Sequence, residues 1–178
     1  MENVATIALV LKTGGDTYNY KYVNNLVNGI KEHTTIPTRI VCLTDDSTGF
    51  DSRIDEVVEF KHNWPKWWGK IELFRPGVFP EGQNVFYIDL DTFIVGNVDD
   101  ILKCRSNFCG LRDFYNLSAF ASGLLSFKPE YVKKIYTQFI TNPNHYMAAH
   151  KIGGDQAFIR EINLSHQYFQ DLYLLWLK

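Results

Sequence analysis

The sequence has too few cysteines for a disulfide framework. Its three cysteines are Cys42, Cys104 and Cys109, an odd number with no Cys-x-x-Cys pair among them. Small secreted domains rely on paired cysteines, whereas reducing compartments keep thiols free. We therefore expect three free thiols and a cytoplasmic protein.

The sequence also lacks an excess of basic charge and a long hydrophobic run. Its formal net charge is -2 and no stripe of lysine or arginine is present, which argues against nucleic acid as a partner. The apolar run at residues 4–11 is too short to span a bilayer, which takes about 20 residues. Glu2 stands where a signal peptide would be basic. We expect a globular chain with no transmembrane segment.

What the sequence does contain is a regular order of strand-like and helix-like segments. Residues 4–11 and 38–43 are rich in apolar strand formers, and residues 19–33 between them have the apolar spacing of a helix. This order begins a βαβ unit. We predict one α/β domain over residues 1–178, with a mostly parallel mixed sheet flanked by helices. The apolar segment at residues 164–178 predicts a further packed element and a natural chain that continues beyond it.

The most informative stretch is residues 85–95, which read Val-Phe-Tyr-Ile-Asp-Leu-Asp-Thr-Phe-Ile-Val. The opening apolar residues are typical of a strand that is covered on both faces. Side chains alternate along a strand, so Asp89 and Asp91 are predicted to share a face, with Cα atoms about 6.6 Å apart. Ligands of such sheets bind beyond the carboxyl ends of the strands, where these aspartates are expected.

The two aspartates need a compensating cation. Carboxylates this close repel each other, and the chain has no lysine or arginine between Pro76 and Lys103. Oxygen ligands suit Mg²⁺ and Mn²⁺, so we predict a divalent metal at Asp89 and Asp91. An acidic strand end with a solvated turn is the plainer alternative.

A tryptophan-rich segment precedes this strand. Three tryptophans lie within five positions: Trp64, Trp67 and Trp68. Core packing is favoured for them over stacking on a ligand. A short helix predicted at residues 69–74 leaves Lys70 free to reach outward.

Taken in order, these segments resemble a glycosyltransferase of the A-type fold. The ordered set is Tyr-Ile-Asp-Leu-Asp-Thr at 87–92, Ser-Gly-Leu-Leu-Ser-Phe at 122–127 and Gly-Gly-Asp-Gln at 153–156. The resemblance is to family 8, the glycogenin and galactosyltransferase-like group, and it covers residues 4–162. It implies a Rossmann-like nucleotide-diphospho-sugar transferase domain.

The resemblance also implies an activity and a site. It implies an enzyme that moves a sugar from a nucleotide-diphosphate donor, usually a UDP-sugar, to a saccharide, lipid or protein acceptor, with retention. In that family the Asp-x-Asp pair binds Mn²⁺, which holds the donor diphosphate. Asp155 and Gln156 match a catalytic pair that lies against the transferred sugar. The implied donor-binding positions are Lys12, Thr13, Gly14, Asp45, Lys70, Asp89, Leu90, Asp91 and Ser122.

The chain departs from the family pattern in two places. Ala121 stands where the family usually has an asparagine, and it cannot make an amide contact to the donor sugar. The late His-x-x-Gly-x-x-Lys-Pro segment, which supplies a third metal ligand, is absent from the sequence. His166 follows in the right direction but lacks that context.

Two further interpretations stay open. In a haloacid-dehalogenase-type phosphatase, Asp89 would be the nucleophile, Asp91 the acid–base and residues 154–155 a metal-binding loop. That motif normally opens its fold, whereas here it follows a βαβ-like segment. Alternatively, the chain is a non-catalytic module that binds a nucleotide sugar. By itself, Asp155 also has a purely structural explanation, a position near a helix N-cap.

Overall fold

The computed structural model describes residues 4–14 and 18–173. A sheet of seven strands forms its centre. The strands are β1 (Ala5–Leu11), β2 (Thr38–Thr44), β3 (Glu56–Glu59), β4 (Val85–Ile88), β5 (Phe108–Arg112), β6 (Phe120–Phe127) and β7 (Gln167–Tyr168). Their order across the sheet is β3-β2-β1-β4-β6-β5-β7.

The sheet is mixed but mostly parallel, which confirms the predicted fold class. β1 pairs in parallel with both β2 and β4, and β3 extends the parallel set beyond β2. β6 runs antiparallel to its neighbours β4 and β5, and β7 is parallel to β5. The start of β6 therefore lies at the same edge as the carboxyl ends of β1, β2 and β4.

Helices cover both faces of the sheet. They are α1 (Tyr20–Glu32), a 3₁₀ helix (Lys66–Phe74), α2 (Asp99–Leu102), α3 (Pro129–Phe139), α4 (Pro143–Ala149), α5 (Gly154–Ile162) and α6 (Phe169–Leu172). Within the described ranges, none of them is both long enough and apolar enough to cross a bilayer.

Helix α1 shows how local sequence sets these elements. The Asn19 side chain caps it by accepting a hydrogen bond from the Lys21 backbone N–H at 2.9 Å. The predicted apolar face is confirmed, because its members are all buried: Val23, Leu26, Val27 and Ile30.

Two apolar clusters lie on opposite faces of the sheet. Alternate residues of β1 divide between them: Ile7 and Leu9 pack with α1, while Ala8 packs with the 3₁₀ helix, α3 and α5. β4 contributes to both clusters, so it is covered on both faces as predicted. The three cysteines are free thiols, and all three are buried.

The central strand is shorter than predicted, and this changes the geometry of the aspartates. β4 ends at Ile88, and a turn follows in which the Thr92 N–H donates to the Asp89 carbonyl at 3.1 Å. Phe93 and Val95 are 84% and 90% exposed. The predicted strand therefore ends before the two aspartates, and the strand spacing inferred for them is wrong. β1 pairs with β4 only as far as Tyr87 and β6 only as far as Ile88, so the strand ends where these pairings end.

Candidate active site

The candidate site lies at the carboxyl edge of the parallel strands. β1 leads into Lys12, β2 into Asp45 and β4 into Asp89. Asp89 is tied to the oppositely directed β6, because its backbone N–H donates to the Gly123 carbonyl at 2.8 Å. Gly123 leaves room for the carboxylate, since a Cβ there would lie 3.2 Å from Asp89 Oδ2. Four strands therefore deliver side chains to one edge.

A buried cation lies between two carboxylates at this edge. Lys70 Nζ is 3.0 Å from Asp89 Oδ1 and 3.0 Å from Asp155 Oδ2. Lys70 comes from the 3₁₀ helix and Asp155 from the first turn of α5, so one ammonium joins three elements. The prediction of an outward-reaching Lys70 is wrong: the residue is only 7% exposed. It is buried because the two carboxylates compensate its charge.

The charges at this cluster are set by burial and by the ion pairs. Burial alone would lower the pKa of Lys70, but Asp155 and Asp89 outweigh it and raise that pKa. Burial raises the pKa of Asp155, and the opposing effect of Lys70 offsets it only in part. Lys70 is therefore positively charged near neutral pH, and burial disfavours the charged form of Asp155.

Tyr87 supports the same cluster. Its hydroxyl donates to Asp89 Oδ1, and its ring lies 5.1 Å from Lys70 Nζ at the centroid. Burial, together with the nearby Asp89, raises the pKa of Tyr87 well above its ordinary value, so the hydroxyl remains a donor. The sequence analysis missed this residue. The signal was present, because Tyr87 and Asp89 are two residues apart at a strand end and share a face.

Ser122 and Gln156 close the side of the site next to Asp155. The Ser122 backbone N–H donates to Gln156 Oε1 at 2.9 Å. Ser122 Oγ lies 3.4 Å from Lys70 Nζ and 3.5 Å from Asp155 Oδ2. The structure thus brings together five of the predicted site residues in one network: Lys70, Asp89, Ser122, Asp155 and Gln156.

The first loop forms a second group at the same edge. Lys12 forms an ion pair with Asp45, and the Thr13 N–H donates to Asp45 Oδ1 at 2.8 Å. Burial opposes ionisation of Asp45, but the hydrogen bonds from Lys12 and Thr13 prevail and lower its pKa. Gly14 follows with φ of 86°, a conformation that favours glycine. The ends of β1 and β2 therefore meet at this edge.

Asp91 lies apart from Lys70, in the exposed turn after β4. Its Oδ2 accepts a hydrogen bond from the Tyr18 hydroxyl at 3.1 Å. Tyr18 precedes α1, and no sequence signal linked it to Asp91. Leu90, between the two aspartates, buries its side chain in the cluster on the α1 face and anchors the turn.

The donor atoms at this turn suit a hard divalent cation. Asp89 and Asp91 offer carboxylate oxygens, the ligand type that Mg²⁺ and Mn²⁺ prefer. His166 does not complete the set, because its ring packs on Phe120 at 4.8 Å and its Nδ1 lies 2.8 Å from the Leu164 carbonyl oxygen. In the part of the chain that the structure describes, no three His, Cys, Asp or Glu side chains are grouped as metal ligands. The turn thus offers two carboxylate side chains that suit such a metal.

No protein-family model and no curated protein sequence matches the chain. Solved structures do match it. The glycosyltransferase GlyE of Streptococcus pneumoniae TIGR4 superposes with a TM-score of 0.72 at 13% identity, over 95% of this chain and 46% of that chain. The galactosyltransferase LgtC, in complex with donor and acceptor sugar analogs, superposes with a TM-score of 0.65 at 11% identity, over 92% of this chain and 72% of that chain. An active-site mutant of LgtC gives a TM-score of 0.67 at 10% identity.

The fold is therefore the one found in these glycosyltransferases. The strand order and the mixed sheet agree with the α/β class predicted from the sequence. The chain spans less than half the length of GlyE. At such low identities the likeness defines the fold, and the activity has to be argued from the side chains at the carboxyl edge.

Proposed function

We propose that this chain transfers a sugar from a nucleoside-diphosphate donor to an acceptor. UDP is the proposed nucleotide, and Mn²⁺ or Mg²⁺ the proposed cofactor at Asp89 and Asp91. The observation that carries the proposal is the buried Lys70 held between Asp89 and Asp155, at the carboxyl edge of a glycosyltransferase fold. A fixed cation at that place suits a ligand whose negative charge increases during the reaction.

The charges of the site fit the charges of the reaction. Breaking a sugar–phosphate bond leaves negative charge on the diphosphate and positive charge on the anomeric carbon. Lys70 is preorganised to stabilise the first, because its position is set before the substrate arrives. A bound divalent cation would add Lewis-acid stabilisation of the leaving diphosphate. Asp155, the second carboxylate paired with Lys70, would stabilise the positive sugar.

The remaining residues have places in the same proposal. Gln156, in contact with Ser122, would orient hydroxyls of the transferred sugar. The group formed by Lys12, Thr13 and Asp45 would receive the base and ribose, at the ends of the two strands next to β4. We propose retention of configuration, as the family resemblance implies. The ion pair between Lys70 and Asp155 favours retention, because an inverting enzyme needs a base that is free to take the acceptor proton.

The phosphatase alternative fits the geometry less well. Asp89 Oδ1 already accepts from both Lys70 and Tyr87, so only Oδ2 could serve as the nucleophile. The motif also follows the fourth strand, whereas in a haloacid-dehalogenase-type fold it normally follows the first. An acyl-phosphate trapped on Asp89 would nevertheless establish that activity.

The proposal is tested by calorimetric titration of UDP with and without Mn²⁺. The variant is Asp89→Asn/Asp91→Asn, and the matched control is Asp100→Asn, an exposed aspartate in α2. We expect UDP binding that requires metal and weakens at least about tenfold in the double variant, but not in the control. UDP binding that does not depend on metal, or that is equal in the wild type, the double variant and the control, would contradict the proposed site.

Turnover separates the remaining alternatives. UDP release from UDP-sugars, measured with and without added saccharides, reports transfer and slow donor hydrolysis. UDP binding without any release of UDP from these donors would favour the non-catalytic module.

A further inference from the structure

We propose that Trp67 is a stacking surface for a pyranose ring at the Asp155 end of the candidate site. The inference rests on the proposed function and deepens it, because it assigns a sugar-recognition residue that the motif resemblance does not supply. The pyranose is either the hexose of the donor or a saccharide acceptor. Both present the same chemistry, a face of C–H groups, to an aromatic ring.

Trp67 differs from the two tryptophans beside it. Trp64 and Trp68 are buried, and both pack on Phe139. Core packing, predicted for all three, is therefore confirmed for these two. Trp67 is 47% exposed. A large aromatic side chain left half in solvent, beside two that are buried, has surface available for a ligand.

The 3₁₀ helix directs Trp67 toward the ion cluster. In a 3₁₀ helix, residues three apart project from the same side. Trp67 therefore shares a side with Lys70, whose ammonium lies 3.0 Å from Asp155 Oδ2. Lys70 occupies the buried part of that side, and Trp67 lies at its exposed rim.

The start of α5 is shaped to receive the indole. A Cβ on Gly154 would lie 2.3 Å from Trp67 Nε1, so any side chain there would force the ring away. Gly153 and Gly154 both have positive φ, 90° and 57°, in the turn that begins the helix. The indole therefore rests against the residue immediately before Asp155, and Asp155 and Gln156 are the next two residues of that helix turn.

Lys66, the residue before Trp67, places its ammonium over the Trp67 ring. Lys66 has φ of 54°, an unfavourable conformation for a residue with a side chain. Its Nζ lies 5.5 Å from the centroid of the Trp67 ring. The ring face thus already attracts a positive group, as its quadrupole predicts. Sugar C–H groups carry partial positive charge, so a pyranose can replace the flexible ammonium.

The position argues for a sugar and against the nucleotide base. The first-loop group at Lys12 and Asp45 lies at the ends of β1 and β2, where the proposed nucleoside binds. Trp67 lies instead against the helix that carries the proposed sugar-facing residues, Asp155 and Gln156. A ring stacked on Trp67 would thus be placed beside the carboxylate and amide that recognise hydroxyls.

The test compares Trp67→Ala, Trp67→Phe and Tyr115→Ala. Tyr115 is a fully exposed aromatic in the loop between β5 and β6 and serves as the matched control. UDP, UDP-glucose and UDP-galactose are titrated by calorimetry with Mn²⁺ present. Maltose and lactose are titrated by ligand-detected NMR, with and without UDP.

We expect Trp67→Ala to bind UDP as the wild type does. Its affinity for one class of sugar ligand should fall about five- to tenfold, while Trp67→Phe keeps most of that affinity. A loss confined to UDP-sugars assigns the donor hexose, and a loss confined to free saccharides assigns the acceptor. Tyr115→Ala should change neither.

Two results separate the proposals from each other. If wild type and Trp67→Ala bind every sugar ligand equally, with equal unfolding midpoints, the role of Trp67 is refuted while UDP binding still supports the proposed function. If the wild type binds no UDP, the proposed function fails. The saccharide titration without UDP then still decides on Trp67, because equal or absent saccharide binding in the two proteins refutes its role.

Discussion

Replacing Lys70 by methionine is the most direct perturbation of this structure. Methionine has a similar length and no charge, so Lys70→Met removes the cation with little change in volume. The ammonium lies 3.0 Å from an oxygen of each carboxylate. Lys70 and Asp155 are both buried, at 7% and 5% exposure. The variant therefore leaves a buried carboxylate without its counter-ion.

The size of the effect follows from these distances. At an effective dielectric constant of about 20, each pair at 3.0 Å attracts with about 5.5 kcal/mol. Desolvation of the ammonium offsets much of this attraction, and solvent screens the pair with Asp89, whose side chain is 32% exposed. Removing one partner of a buried pair costs about 3–5 kcal/mol. We expect a loss of that size in the free energy of unfolding at neutral pH.

The loss should depend on pH in a defined direction. Burial already raises the pKa of Asp155, and without Lys70 this pKa rises further in the folded variant. Because the folded pKa is raised, protonation of Asp155 removes the unpaired buried charge and reduces the destabilisation of the variant. The loss in the free energy of unfolding is therefore largest above the folded pKa of Asp155. It shrinks as pH falls toward the pKa of aspartate in the unfolded chain, about 4.

The assay is urea unfolding followed by circular dichroism, near neutral pH and near the unfolded pKa of aspartate. Lys103→Met is the control, because Lys103 makes an exposed ion pair with Asp100 at 2.9 Å and should cost less than about 1 kcal/mol. Lys70→Met/Asp155→Asn should recover part of the loss, since no unpaired charge remains. Equal costs for Lys70→Met and Lys103→Met, or a loss independent of pH, would refute the buried ion cluster.

Two further predictions concern stability. Asp99 accepts hydrogen bonds from the Thr34 hydroxyl and from Thr35, and these hold the pKa of Asp99 well below its ordinary value. The charged Asp99 therefore stabilises the folded protein above the unfolded pKa of aspartate. This stabilisation is lost as pH falls through the lower folded pKa. Asp99→Asn should therefore lower the urea midpoint at neutral pH, and the two proteins should converge in strong acid. A Cβ on Gly110 would lie 2.3 Å from the Phe120 ring, so Gly110→Ala should cost about 1–3 kcal/mol in the same assay. Gly96→Ala, with open space around it, should stay within about 0.5 kcal/mol, and equal midpoints for the two glycine variants would contradict the packing at Gly110.

Much of the fold is predictable because its signals are local. The burial of one face of α1 follows from apolar residues at helical spacing, and Asn19 is the N-cap residue at the start of the helix. The four apolar residues of β4 predict a strand covered on both sides. The end of that strand is not predictable in this way. Residues 93–95 are as apolar as the strand itself, and only the last pairings of β1 and β6 fix the boundary at Ile88.

The members of the candidate site were predictable from the sequence, but the burial of Lys70 was not. Asp89, Asp155 and Gln156 follow from short motifs and Lys70 from the family resemblance, whereas Lys70 was expected to reach outward and buried lysines are rare. Its true position depends on how the 3₁₀ helix and α5 pack against one another, since that packing brings Asp155 within 3.0 Å of the ammonium. Spacing along the chain carries no information about such a contact.

The buried Lys70 also bears on how the proposed metal would bind. One oxygen of Asp89 is already shared between Lys70 and Tyr87, and Asp91 lies in an exposed turn. The carboxylates alone are therefore a weak ligand set, and Mg²⁺ or Mn²⁺ commonly completes its coordination with substrate phosphates and water. We expect the metal to bind with the diphosphate rather than before it. Lys70 would then have two roles: it holds Asp89 and Asp155 in place before the diphosphate binds, and it supplies fixed positive charge once the diphosphate is bound.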